Sequence, residues 1–159
     1  MTDAALVEDA GAPVPLVLVV DAANVVGSRP DGWWRDRAGA SRRLLDGLAR
    51  LPGRRVLGPG GVPGVVLAVA VVLEGRARGA GTTTDDHRVQ VLLAPGSGDD
   101  AVVELVRELA GADAGDAAVV VVTADRGLRD RLDVGCWGPG WLRDVLDRLA
   151  TDGVDRPRR

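Results

Sequence analysis

The sequence predicts an α/β fold in which a mostly parallel sheet of about five strands is covered by helices on both faces. Three observations carry that expectation. Unbroken Val/Leu runs of strand length recur along the chain, and such runs are buried on both faces, as in a parallel sheet. Segments of helical period separate them. Acidic residues stand where the runs end, and open α/β sheets bind their ligands at the strand C-termini.

The elements follow in order. Residues 1–15 are small, acidic and proline-bearing, and read as a loose tail before a single domain over 16–150. The first strand is 16–20, running into Asp21. Residues 21–32, with Asn24, Gly27 and Pro30, read as a loop. A helix is expected over 33–51, with Trp34, Ala38, Leu45 and Leu48 on one stripe and Asp31 at its N-terminal boundary. Residues 52–64 form a Gly/Pro-dense loop. It precedes a strand and lacks a Lys-Ser/Thr ending, which argues against a phosphate cradle. The second strand, 65–73, ends at Glu74. A polar stretch over 75–87 leads to a third strand at 88–94, a tight loop at 95–98 and a helix at 99–110 with Val102, Val106 and Leu109 inward. A fourth strand at 117–122, a short helix at 127–133, a fifth strand at 134–137 and an amphipathic helix at 141–150 complete the domain. Residues 151–159 read as a basic tail. Right-handed crossovers place all parallel strand C-termini on one edge.

Composition removes several chemistries. All 20 basic residues are Arg, so no Walker lysine, Schiff base or lysine general base exists. Cys136 and His87 are each single, which excludes a Cys/His zinc site and a disulfide framework within one chain and suits a reducing cytoplasm. No apolar run approaches the ~20 residues of a membrane span, and the N-terminus has no signal-peptide pattern. Net charge is −3, unevenly spread: 29–88 carries eleven Arg against six acids, 89–159 nine against thirteen. A basic half beside an acidic half suits an anionic polymer held near carboxylates, though charge alone favours a mixed solvated surface.

The acids at strand ends form the candidate site. Asp21 ends the first strand, Glu74 the second, Asp99 and Asp100 open the helix after the third, and Asp125 follows the fourth. Carboxylates gathered on one rim repel one another unless a cation neutralises them. Oxygen ligands without His or Cys point to a hard cation, Mg²⁺ or Mn²⁺, and hence to metal-assisted phosphodiester hydrolysis. Each residue also has a plainer reading. Asp21 and Asn24 suit a turn, Glu74 an exposed strand end, and Asp125 a helix cap. Ser97 with Asp100 resembles a capping box, and Ser97 and Thr123 either cap or position a phosphate. The Gly96–Ala101 match to GxGxxA is a decoy, because two carboxylates sit where a pyrophosphate would meet the helix. A His87/Cys136 catalytic pair has no support beyond composition.

The set VVDAANVV, VVLEG, GSGDDAVVEL and VVVVTADRGLR resembles a PIN-like NYN domain, nearest to its YacP-like branch, over about residues 16–137. The resemblance implies a Rossmann-like three-layer domain and Mg²⁺/Mn²⁺-dependent ribonuclease activity on single-stranded or structured RNA. It implies Asp21, Glu74, Asp99 and Asp125 as metal-binding acids, with Asp100 beside them. Asp21, Asn24, Asp99 and Asp125 would be catalytic, and Ser97, Arg76, Arg78 and Arg126 would contact RNA. The acid ending the second strand is Glu here, where the family often has Asp. Only Trp33, Trp34, Trp137 and Trp141 offer rings for base stacking, and the first two begin a helix near the rim. Two alternatives stand: a non-catalytic RNA- or nucleotide-binding module of the same fold, and a metal-dependent phosphatase or nucleotide pyrophosphohydrolase. A phosphoaspartyl phosphatase is disfavoured, since Ala23 occupies the place of its second Asp. No membrane partner is expected, and the sequence admits a homodimer or a regulatory protein partner.

Overall fold

The computed structural model describes residues 11–75, 88–112 and 115–154. The order is β1 (Val14–Asp21), α1 (Ala22–Gly27), α2 (Arg37–Leu48), β2 (Arg55–Leu57), β3 (Pro63–Leu73), β4 (Val89–Leu93), α3 (Gly98–Gly111), β5 (Ala118–Val122), α4 (Arg126–Asp130), β6 (Gly135–Trp137) and α5 (Pro139–Val154). The α/β class is as expected.

The sheet is mixed. β1 is central, with parallel neighbours β3 and β5, and β6 lies parallel to β5. The long β3 shares its far edge between two strands. β4 pairs with its C-terminal half in parallel, and β2 pairs with its first residues antiparallel. Parallel pairing of β4, β3, β1, β5 and β6 brings their C-terminal ends to one rim.

Side chains of β1 alternate between two cores. Leu16, Leu18 and Val20 pack with Val25 of α1, Leu44, Leu45 and Leu48 of α2 and Leu142 of α5. Val19 packs with Val102, Val103 and Val106 of α3 and Leu128 of α4. A strand buried on both faces needs an aliphatic residue at every position, which explains the unbroken run. Burying each Val or Leu stabilises the fold by about 1.5–3 kcal/mol.

Four expectations are corrected. The loop expected over 21–32 contains α1, because Asp21 caps a helix that starts at once. The expected helix from Trp33 is broken: Trp33–Arg35 is a 3₁₀ turn, Asp36 leaves helical space at φ −147°, and its carboxylate caps α2 through Gly39 N–H at 2.9 Å. Trp34 therefore leaves the apolar stripe and is 51% exposed. The Gly/Pro loop over 52–64 contains β2 and a reversal in which Gly58 N–H donates to Val62 C=O at 2.8 Å. Gly60 and Gly61 sit at φ +81° and +80° there, a region costly for other residues, so these glycines make a hairpin. Ser97 makes no side-chain cap bond, so the expected capping box does not form. No helix among the described residues is long and apolar enough to cross a membrane.

Candidate active site

The rim assembles around Asp21, only 8% exposed at the end of β1. Val20 lies opposite Val122 in the register, which sets Asp21 beside Thr123, the residue after β5. Thr123, fully buried, donates its hydroxyl to Asp21 Oδ2 at 3.1 Å. The Thr123 hydroxyl oxygen in turn accepts from Asp125 N–H at 3.1 Å. Arg129 grips the Thr123 carbonyl through Nε and Nη2, at 3.0 and 2.8 Å. One β-branched hydroxyl residue thus links two of the expected acids. Sequence reading had placed Thr123 only as a cap or phosphate contact, and it missed Arg129 entirely.

Asp21 is also the N-cap of α1, with Asn24 N–H reaching Oδ1 in a long contact of 3.5 Å. Asn24's side chain turns elsewhere, its amide oxygen accepting from Ala124 N–H at 2.7 Å. It therefore ties α1 to the loop after β5. Arg143 of α5 closes the other end of α1, donating to the carbonyls of Val25 at 2.8 Å and Val26 at 3.3 Å. Cations suit a helix C-terminus, where carbonyls lack partners.

Glu74, just past β3, performs the cap that Ser97 leaves unmade. Its Oε2 accepts from Gly98 N–H, the first residue of α3, at 2.6 Å. A Cβ at Gly98 would lie 2.7 Å from that oxygen, so the glycine is what lets the carboxylate sit there. Asp125 caps α4 through Leu128 N–H at 2.9 Å. The cap reading of Asp125 describes a real bond, whereas Glu74, expected as an exposed strand end, is half-buried and caps α3.

The electrostatics link the four acids. Burial first, then the nearby Asp99 and Glu74 carboxylates, raise Asp21 above the usual Asp value, against the hydrogen bonds from Thr123 and Asn24. Asp99 is raised by burial first, then by Asp125 and Glu74. Asp21, Glu74, Asp99 and Asp125 therefore share one field. Asp100 is bridged to Arg131 at 2.8 Å and is more exposed than Asp99, and the charges of both also act on Asp99. Ser97 and Arg126 are exposed near the rim. Arg76, Arg78 and His87 lie outside the described residues.

The donor set fits a hard divalent cation in chemistry, being oxygen-only and mutually repulsive. Among the described residues, no group of three or more such side chains stands ready to hold one ion. Mg²⁺ commonly takes one or two carboxylates and completes its shell with water and substrate phosphates, so a three-carboxylate cage is not required.

Two depressions flank Ala23 beside this rim. One, about 710 Å³, follows Asn24, Ala124, Arg29 and Arg143. The other, about 370 Å³, runs from Arg37 and Ser41 to Glu74 and Gly96. Trp33 lines both. A further cleft of about 670 Å³ lies away from the acids, between β2 and α5.

No protein-family model matches the chain, and no curated protein matches it in sequence. Among solved structures the fold is similar to Rae1 (YacP) from Bacillus subtilis, with a TM-score of 0.62 and 19% identity over 87% of this chain and 79% of that one. A tryptophan-to-leucine mutant of Rae1 aligns with a TM-score of 0.61 and 18% identity over 86% and 78%. The YacP-like resemblance carried by the four motifs is thus matched in three dimensions, as a likeness of fold.

Proposed function

We propose that this chain is a Mg²⁺- or Mn²⁺-dependent ribonuclease that hydrolyses RNA phosphodiester bonds at the rim carrying Asp21. The observation that carries the reading is the shared field of four carboxylates from four separate segments, on a fold similar to Rae1 (YacP). Burial is the main cause that raises Asp21 and Asp99, and the neighbouring carboxylates add to it, a load that a bound cation would relieve. The layering we infer is the three-layer PIN-like arrangement, and the setting a reducing cytoplasm, which the single Cys136 suits.

Asp21, Glu74, Asp99 and Asp125 would hold the metal, with Asp100 supporting from its bridge to Arg131. When bound, the ion supplies charge that offsets the build-up on the phosphate oxygens and acidifies a water. The chain's own groups prepare for this. Thr123 fixes the Asp21 carboxylate in one rotamer and turns the Asp125 backbone with the same oxygen. Glu74 is held by Gly98 N–H. Asn24 fastens the start of α1 to Ala124. Arg126, with Arg76 and Arg78, would meet the RNA backbone, and Ser97 a phosphate oxygen.

The test is cleavage of a labelled single-stranded RNA with Mn²⁺. Cleavage by the wild type, lost in EDTA and in Asp21→Asn with folding intact, is the expected result. Unchanged cleavage by Asp21→Asn overturns the assignment. The spacing of the carboxylates is the one observation favouring a non-catalytic binding module. RNA binding unaffected by EDTA, with no cleavage, would establish that reading instead.

A further inference from the structure

The chain has four tryptophans and no Phe or Tyr, and the structure assigns the tryptophans unequal tasks. Trp137 and Trp141 pack edge to face at 4.5 Å, and Trp141 Nε1–H donates to the Leu57 carbonyl at 2.8 Å. Trp137 fills the space over Gly58, where a Cβ would come within 2.8 Å of the ring. These two rings hold the β2 hairpin. Trp33 is half-buried against the main core and forms the wall shared by the two depressions beside Asn24 and Glu74. The Arg37 guanidinium lies over it at 5.4 Å.

Trp34 differs from the other three. It stands edge-on to Trp33, with centroids 6.0 Å apart and planes at 85°, and half of it faces solvent. The turn that presents it is closed by backbone bonds. Arg35 N–H donates to Gly32 C=O at 3.0 Å and Asp36 N–H to Trp33 C=O at 3.2 Å. Trp33 N–H also donates to Asp31 Oδ1 at 3.3 Å. Gly32 at φ +85° lets the chain enter this turn. A large ring held in water by a hydrogen-bonded turn, beside Trp33, whose ring lines the depression that carries Arg37 and Glu74, has what single-strand binding needs. Bases stack on an aromatic face while cations follow the phosphates.

Resting on the ribonuclease reading above, we propose that Trp34 stacks an unpaired base of the RNA and so restricts the substrate to a single-stranded segment at that position. Trp33 supports the ring from below, and Arg37 steadies Trp33. A paired base has both faces covered within its duplex and gains nothing from the ring, so duplex RNA is disfavoured.

The experiment uses the full chain and a labelled ten-nucleotide oligouridylate, with a series in which a single abasic residue is moved along the strand. The expected result is that one abasic position weakens wild-type binding in EDTA roughly tenfold, within the range of one lost stacking contact. Trp34→Ala should bind the intact strand about as weakly and be indifferent to the abasic position. With Mn²⁺, it should show a raised KM and a largely retained kcat. Trp34→Tyr keeps a ring and should retain most of the affinity, which separates stacking from a folding defect. If the wild type cleaves the oligonucleotide while Trp34→Ala matches it in KM and in abasic sensitivity, the stacking assignment is wrong and the nuclease reading survives. If the wild type neither cleaves nor binds RNA, the nuclease reading fails and this assignment fails with it.

Discussion

Replacing Thr123 by Val removes one oxygen and leaves nearly the same volume in a fully buried place. That oxygen serves twice, donating to the Asp21 carboxylate and accepting from Asp125 N–H, each at 3.1 Å. A hydrogen bond to a charged group contributes about 1.5–3 kcal/mol, and an orphaned partner costs about 1–3 kcal/mol. The two losses overlap, because Asp125 is only half-buried and water can reach its backbone. The expected destabilisation is therefore about 3 kcal/mol, or roughly 6–12 °C in Tm for a chain of this length. Thr123→Ser keeps the hydroxyl and loses one methyl, which costs about 1 kcal/mol. The contacts from Arg129 go to the Thr123 carbonyl, so both variants retain them. The sign with pH is also determined. The hydroxyl stabilises the ionised form of Asp21 and so lowers its pKa, against the larger effect of burial. Its contribution is present above the titration of Asp21 and is lost as pH falls through it, so the gap between wild type and Thr123→Val narrows in acid. Urea denaturation in EDTA at neutral and acid pH measures this. A Val variant within about 1 kcal/mol of wild type, or a Ser variant worse than Val, refutes the bridging role of Thr123.

Asp21→Asn should lose cleavage yet be at least as stable as wild type at neutral pH in EDTA. Burial and its acidic neighbours raise the folded pKa, so the stability linked to the protonated form is present in acid and is lost as pH rises through the folded value. The advantage of Asn should therefore vanish in acid; thermal melts at both pH values check it. Gly98→Ala adds a methyl 2.7 Å from Glu74 Oε2 at a position whose backbone is helical. Melting should change little, because the helix gains propensity while the Glu74 bond is lost. Cleavage should fall at least tenfold, the effect of roughly 1.4 kcal/mol of lost orientation. Mn²⁺ at a hundredfold excess over its Kd should stabilise the wild type by about 2.7 kcal/mol. The same addition to Asp21→Asn should stabilise it measurably less, by the same melts.

The alternation of elements was legible because aliphatic runs and helical periods are local signals, and every expected strand is present in the sheet. The acids at the ends of β1, β3 and β5 were legible for the same reason, since a carboxylate that follows a Val run marks where the strand ends. Helix α1 was not legible. Its six residues contain two β-branched valines, poor helix formers, and its ends are secured by Asp21 before it and by Arg143, which is 118 positions from Val25. Trp34 was misread because a single φ at Asp36 breaks the stripe on which the sequence had placed it.

By itself, the sequence determined the α/β class and the oxygen-only donors at strand ends, and it excluded lysine and Cys/His zinc chemistry. Hydrophobic period and residue inventory need no partner to be read. Only the tertiary structure decided what each carboxylate touches. Asp21 went to Thr123, Glu74 to the N–H of Gly98, and Asp100 to Arg131. Those choices join residues 24 to 102 positions apart. They follow from sheet register and helix placement, which bring distant segments together and leave no mark on the local pattern of either.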